Sequence, residues 1–579
     1  MSAARWLIPQ IDRPQAESLA SALGVSAAAA RVLASRGYAD PEAARRFLRP
    51  SLDDLHDPGL MRGLRPALER LRQAIARPEK ILLYGDYDVD GTTAVVILHK
   101  AIELAGGQAG FHIPHRLKDG YGMQADVVER AAAEGVTLVV SVDTGIRAAG
   151  VVRRAVELGL DVIVTDHHLP DADLPPALAV LNPKQPGCAY PEKNLCGVGV
   201  AFKLVQALLG SLAWPPEKLR RMIRSFLKLV AIGTVADVVP LTGENRVLVK
   251  FGLEELRAVR NAGLRALLEV AGIAEGDAPS AGQVAFRIAP RLNAAGRMAD
   301  AGAVISLLTT EDAAEARRIA AELDALNTER QQAESEIVRV ILEERLRAPV
   351  TDRQAALVFA GRDWHRGVVG IVANRLVERF HRPAFVLSED AERGVAQGSG
   401  RSIPAFDLLG ALEAMAELFT RFGGHRQAAG VSLPSGRVEE FRERLNAYAA
   451  ARLAPEDRQP QLEVDGELEL VEISDALVAE ILAMAPFGYG NPTPVFAVCG
   501  AEVAGPPAVF KERHLRVSLR QKGRGLTLKA FDFAGRLAEL EPGARVDAAF
   551  HFEADDWSAS RGLPGWAAVL RDLRPAQAG

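Results

Sequence analysis

Three short apolar runs constrain this chain more than any other feature: ILLY at Ile81 to Tyr84, TLVVSV at Thr137 to Val142 and DVIVT at Asp161 to Thr165. Each is continuous rather than alternating, rich in β-forming residues and bounded by Gly or Asp, so each reads as a strand covered on both faces. The intervening stretches, among them TTAVVILHKAIELAGG with its closing Gly pair, read as helices. Strand and helix in alternation from Lys80 to about Pro240 predict a parallel sheet.

Each run leads into acidic residues. The first opens onto GDYDVDG, which places Asp86, Asp88 and Asp90 in a turn that begins a helix. The second ends at Asp143 in VDTG, and the third ends in TDHH, which supplies Asp166, His167 and His168. All three clusters fall at the carboxyl ends of parallel strands, the edge of an open α/β sheet where ligands bind. Singly, an Asp after a strand is a turn former or helix cap, and a His is a surface or hydrogen-bonded core residue. Together, with Asp237 in GTVADVVPL as a fourth candidate, they crowd carboxylates that repel one another unless a cation neutralises them. A mixed carboxylate and imidazole set suits Mn²⁺ or Mg²⁺, whereas structural zinc asks for cysteines. The carboxylates suffice for two divalent ions roughly 3.5–4 Å apart, the arrangement that activates water and stabilises the leaving oxygen in phosphoester hydrolysis.

At 579 residues two to four domains are expected. No apolar stretch is long enough to span a bilayer, so the chain reads as soluble, without a membrane partner. The start, MSAARWLIPQIDRPQ, lacks the features of a secretory signal, and Cys188, Cys196 and Cys499 make no disulfide framework, so a cytoplasmic location is expected. A net charge of -5 excludes a global attraction to nucleic acid, which leaves only local basic patches for that purpose.

The expected fold class is α/β multidomain. An N-terminal helical segment occupies 1–50, a parallel-sheet catalytic domain 51–310, a long connecting helix 311–348, a smaller α/β domain 349–455 and an OB-like β-barrel 456–579. The helix is read from EDAAEARRIAAELDALNTERQQAESEIVRVILEERLR, which has neither Gly nor Pro and sets Ile319, Leu323, Leu326, Ala333, Ile337 and Ile341 near helical spacing. Two helices broken near Asn327 are the alternative. The barrel is read from QLEVDGELEL, HLRVSLR and LTLKAF.

GDYDVDG, VDTG, TDHH and GTVADVVPL, in that order, resemble the four motifs of the DHH phosphoesterase superfamily. The resemblance implies Asp88, Asp90, Asp143, His167 and Asp237 as metal ligands, with Asp86 as a further ligand at a position that varies among relatives. It implies Asp166 and His168 as the catalytic pair supporting the site. Over well over three quarters of the chain it extends to the superfamily's single-strand-specific exonucleases, which digest DNA from the 5′ end.

Catalytic motifs shared across a superfamily do not name a substrate. In HIPHRLKDGYG, Arg116 matches an arginine that holds the terminal phosphate in those exonucleases. RIAPRLNAAGRM carries Arg287, Arg291 and Arg297 with no acidic residue among them and reads as a phosphate-clamping loop. GSGRSIPAFD offers Ser399, Arg401 and Ser402, and GGHRQAAG offers Gly423, Gly424 and His425 in a Gly-rich turn; the latter resembles the signature of the DHH-associated substrate-binding domain. Near the C-terminus Lys511, Arg513, Arg516, Arg520, Lys522, Arg524 and Lys529 accompany one acid, Glu512, as in an OB-fold that tracks a phosphate backbone. Phe510, Phe531, Phe533, Trp557 and Trp566 are candidate stacking residues, with a place in the barrel core as the bland alternative.

These features imply a two-metal exonuclease that degrades single-stranded DNA 5′ to 3′ to mononucleotides in recombination and repair, with a single-strand-binding protein and a helicase as partners. Two alternatives stand beside it: a phosphodiesterase of short oligonucleotides or dinucleotides, which needs no basic barrel, and a non-catalytic DNA-binding scaffold, which needs no complete ligand set.

Overall fold

The computed structural model describes residues 4–10, 12–116, 118–120, 122–555, 562 and 564–576; Trp557 lies outside them. The chain forms two compact units, one of 56–239 with 251–459 and one of 1–55, 240–250 and 460–579. Among the described residues no single helix is long and apolar enough to cross a membrane.

In the first unit the three runs are strands Lys80–Tyr84, Val136–Val142 and Asp161–Thr165. Ala109–His112 and Ala179–Leu181 join them in one five-stranded, wholly parallel sheet. Its spatial order is 109–112, 80–84, 136–142, 161–165, 179–181, so the chain leaves Lys80–Tyr84 to one side and then crosses to the other. Such a reversal opens a crevice between Lys80–Tyr84 and Val136–Val142. The register pairs Tyr84 with Ser141 and Val142 with Thr165, so the acidic turns leave the sheet at one level. Leu83, Val139, Val140, Val162, Ile163 and Val164 are fully buried, which is why these strands do not alternate.

The connecting helix is a single element, Ala313–Arg347, capped by Asp312, whose side chain accepts from the amides of Ala314 and Glu315. Its first half buries Ala316, Ile319, Ala320 and Leu323, and packs on helices Ala262–Val270 and Ala289–Met298. Its second half sends Ile337 and Ile341 into a core with Leu357, Val372 and Val386 of the smaller lobe. There is no break at Asn327, which is buried and accepts from Arg330 Nη2 at 3.0 Å.

The smaller lobe is built on a mixed sheet ordered Arg421–His425, Ala428–Pro434, Val395–Arg401, Ala384–Asp390, Leu357–Arg362. The GGHRQAAG segment does not place its glycines in the turn expected from the sequence. Gly423 and Gly424 are strand residues paired with Gly430 and Ala429, and only Arg426 and Gln427 make the hairpin turn.

In the second unit the residues read as a helical N-terminus and those read as a C-terminal barrel fold together. Leu19, Val32, Leu33 and Phe47 share one core with Leu515, Phe550 and Leu570. Strand Arg5–Leu7 pairs in parallel with Gln461–Glu463. Arg246, fully buried, donates to Phe47 O and Ala485 O at 2.8 Å and lies 4.0 Å over the Phe47 ring, tying the 240–250 segment to both ends. The barrel comprises Val495–Val503, His514–Gln521, Arg524–Ala530, Arg545–Ala554 and Trp566–Pro575 with two short edge strands, and pairing of Val503 with Leu519 closes it.

Candidate functional site

Each acidic turn owes its place to a strand end and a helix start. Asp88 caps helix Val89–Leu104 by accepting the Gly91 amide at 2.9 Å. Asp90, one residue into that helix, is gripped by the amides of Gly197 and Val198 at 2.5 and 2.7 Å, the N-terminus of helix Gly197–Gly210. Asp143 follows its strand in a left-handed conformation, φ 60°, with its carboxylate packed so closely on Gly197 that a Cβ there would lie 2.4 Å from Oδ1. Asp237 caps the C-terminal end of helix Pro216–Ala236. Asp166 Oδ1 accepts from the amides of His167 and His168 and from His168 Nδ1 at 2.7 Å, while Oδ2 accepts from Ile146.

The side chains converge. His167 Nε2 lies 3.2 Å from Asp143 Oδ1, 3.6 Å from Asp237 Oδ2 and 3.9 Å from Asp90 Oδ2. Ligand atoms of Asp86, Asp88 and Asp143 fall within 4.8 Å of one another, as do those of Asp90, His167 and Asp237, and those of Asp143, His167 and His168. The first two sets share no residue, which leaves room for two ions. Asp143 Oδ1, Asp237 Oδ2 and His167 Nε2 are buried without a hydrogen-bond partner. Converging lone pairs without donors carry a full desolvation cost, and a divalent cation removes it. The donor set therefore fits such ions.

The electrostatics agree. Burial, then the charge of Asp88, pushes Asp86 up to about 8 and Asp90 up to about 7. Burial, then Asp90 and Asp88, holds Asp143 and Asp237 well above the carboxylate range. Burial, with the charge of His168, keeps His167 neutral, down to about 3, so its ring can ligate. His168 is raised despite its burial, because its bond to Asp166 favours the imidazolium, and Asp166 is lowered against its own burial by the same bond.

A second cluster faces the two lobes of this unit. Arg297 donates through Nη1 to Gly367 O of the smaller lobe at 3.1 Å. Burial, then the charges of Arg116, Arg330 and Arg401, pushes it down to about 10. Arg401 is lowered by burial and by Arg116. Ser399 and Arg401 sit two apart on one strand face; a Cβ on Gly370 would lie 3.5 Å from Ser399 Oγ and 3.2 Å from Arg401 Nη2. Gly370 belongs to the first turn of helix Val369–Phe380, which lacks a side-chain cap, so amides at the positive end of a helix join the arginines and the hydroxyl. His425 is lowered by burial and then by Arg401, Arg147 and His168, which places it in the field of both clusters.

Other members of the expected clamp are elsewhere. RIAPRLNAAGRM is helical, a π-turn at Val284–Ile288 running into Ala289–Met298, not a loop. Arg287 and Arg291, four apart, share a face; Arg287 donates to Gly272 O at 2.9 Å and Arg291 pairs with Asp324 at 2.8 Å. Arg297 lies on a different face, and it alone reaches the cluster. Ser402 is consumed locally, its amide on Gln427 O and its hydroxyl on Phe406 O.

In the second unit, Arg516, Ser518 and Arg520 project from the outer face of one barrel strand, opposite Lys529, Thr527 and Gly525 of its neighbour. The basic run is less bare than its sequence, because folding brings acids to it: Arg513 meets Asp532, Arg520 Glu502, Lys522 Glu469 and Lys529 Asp555. Arg516, Arg524 and Lys511 make no ion pair among the described residues. Phe531, 45% exposed, clusters with Phe510 and His514, whereas Phe533 and Trp566 pack against the core.

Sequence reasoning missed Lys184. It lies just past Ala179–Leu181, at the same sheet edge as the acids, and feels Asp237 and Asp166. That strand's three residues are too short to stand out, although an NPK turn after an apolar triplet is the signal that was there. Arg147, bonded to Leu169 O at 2.8 Å, was missed likewise.

Comparison with known proteins extends over both units. Models of the DHH family N-terminal domain, the DHHA1 domain and the RecJ OB domain match residues 80–234, 353–451 and 464–563. The single-stranded-DNA-specific exonuclease RecJ of Bacillus subtilis is 40% identical over 558 residues, covering 96% of this chain and 69% of the relative. Its counterpart in Escherichia coli is 36% identical over 87% of this chain and 88% of the relative. The crystal structure of Thermus thermophilus RecJ in complex with Mn²⁺ superposes with a TM-score of 0.83 at 32% identity, over 99% of this chain and 80% of that one. A Mg²⁺ complex of that protein superposes with a TM-score of 0.76 at 30% identity, over 99% and 79%. Likeness of this extent, in sequence and in every domain, leaves one conclusion: the chain belongs to the RecJ family of single-stranded-DNA-specific exonucleases.

Proposed function

We propose that the chain removes mononucleotides from the 5′ end of single-stranded DNA by metal-dependent hydrolysis, using Asp86, Asp88, Asp90, Asp143, His167 and Asp237 to hold two Mn²⁺ or Mg²⁺ ions. The observation that carries this reading is the convergence of buried, unpartnered carboxylate and imidazole atoms in a unit that also contains an arginine cluster. Bound there, divalent ions acidify water and offset charge developing on the phosphate.

The chain's own residues do the rest. Arg116, Arg297, Arg401, Ser399 and the amides near Gly370 take the terminal 5′ phosphate, which leaves the next phosphodiester for the acidic cluster. The pair of Asp166 and His168 keeps a proton beside that cluster, available through His168 Nε2 to the departing 3′ oxygen. His425, on the hairpin, completes the wall. The outer barrel face of Arg516, Arg524 and Lys511 tracks the backbone of longer strands, with Phe531 as a stacking platform. Such a substrate, made during recombination and repair in the cytoplasm, implies a helicase and a single-strand-binding protein as partners.

The test is an incubation of purified protein and Mn²⁺ with single- or double-stranded DNA labelled at either end, with and without a 5′ phosphate. The expected result is prompt release of a 5′ label as mononucleotide from the phosphorylated single strand. Release of the 3′ label first overturns the polarity, and cleavage confined to dinucleotides favours the short-oligonucleotide reading.

A further inference from the structure

We propose that Tyr87 is a positioning residue that ties the phosphate clamp to the metal centre and thereby fixes which phosphodiester is cut. The inference rests on the reading of Arg116 and Arg297 as holders of the 5′ phosphate. Tyr87 sits between Asp86 and Asp88, so its backbone is continuous with two metal-site carboxylates. Its ring face carries the Arg116 guanidinium, 4.9 Å from the centroid. Its carbonyl abuts Gly296, where a Cβ would lie 2.4 Å from Tyr87 O and 3.4 Å from Tyr87 Cβ, and Gly296 immediately precedes Arg297. Two residues past Tyr87 the Val89 amide donates to Asn293 Oδ1 at 3.2 Å, a second tie to the same helix.

One residue thus meets Arg116 through its ring and, through its main chain, the glycine that immediately precedes Arg297. The main-chain contact belongs to the turn and survives any side-chain change. The ring contact does not, and it is the contact that sets the distance of Arg116 from the carboxylates. A clamp that floats relative to the reacting centre presents the terminal phosphate in more than one register. The consequence is relaxed choice of scissile bond and weaker dependence on the 5′ phosphate, without loss of the metal ions.

The experiment compares wild type, Y87F, Y87L and R116M as Mn²⁺-loaded enzymes on oligonucleotides bearing a 5′ phosphate or a 5′ hydroxyl, with R297A in parallel. It reads the kcat/KM ratio between the two substrates, the length of the first product and the Mn²⁺ affinity. Y87F keeps the ring and is expected to keep the wild-type ratio and mononucleotide products. Y87L and R116M are expected to lose at least about tenfold of the ratio and to release some dinucleotides, at unchanged Mn²⁺ affinity. If Y87L behaves as wild type while R297A loses the ratio, the clamp stands and the role of Tyr87 is overturned. If Y87L loses Mn²⁺ affinity together with the ratio, its effect is structural and the proposal falls. If R297A and R116M both keep the ratio, the clamp reading itself fails.

Discussion

Asp143 spends backbone strain of about 1–3 kcal/mol on its left-handed conformation, at a position where its carboxylate has no hydrogen-bonding donor for Oδ1. A site built to bind cations is destabilised when it is empty of them. Asp143→Asn is therefore expected to lower turnover by a factor on the order of 10³ while stabilising the metal-free protein by about 1 kcal/mol, which urea denaturation checks. The pH dependence follows from the same crowding. Asp86 and Asp90 titrate near 8 and 7 when folded against an ordinary value of 3.8, so folding takes up protons and their contribution to stability fades as pH rises from about 4 to about 8. Metal binding must displace those protons, so the rise in Tm caused by Mn²⁺ is expected to grow over that window; a flat response contradicts the ligand set. Arg297 and Arg291 separate in kind. Arg297→Ala should cost at least about tenfold in kcat/KM on 5′-phosphorylated DNA, whereas Arg291→Ala should lose its pair with Asp324 and its bond to Arg287 O and leave that preference intact. The acidic and imidazole residues were legible in the sequence because a strand end is a position the eye can find. The split among Arg287, Arg291 and Arg297 was not, because it depends on which face of a helix each occupies.

At the scale of elements, the connecting helix was legible because a run without Gly or Pro leaves the backbone no reason to stop, and burial of Asn327 with its bond from Arg330 removes the one apparent breakpoint. The clamp helix was obscured by Pro290, which reads as a breaker but is accommodated where the π-turn Val284–Ile288 runs into Ala289–Met298. The hairpin was obscured by its glycines, which here pair across strands instead of turning. In the barrel, sequence showed the basic residues but not the acids that folding places beside them. Arg516→Glu with Arg524→Glu, neither residue ion-paired among the described residues, should therefore weaken binding of long single strands and reduce the slope of log affinity against log salt by about 1–2. Arg520→Glu with Lys522→Glu should do less, and equal effects from the two double variants would refute the distinction, which fluorescence anisotropy over a salt series resolves.

For the whole molecule, division into successive domains was only half legible. The sheet, helix and smaller lobe succeed one another along the chain, yet residues 1–55 fold with residues 460–579, through a core shared by Phe47 and Phe550 and through Arg246. Long-range pairing of a three-residue strand such as Arg5–Leu7 leaves no periodicity for a sequence to display. The chain's function centres on the cluster at the sheet edge, and counting its ions is the most direct test. Equilibrium dialysis with Mn²⁺ is expected to find two ions per wild-type chain and about one per Asp143→Asn chain. A variant that retains two ions, or a wild type that binds none, contradicts the assignment of these residues as a two-metal centre.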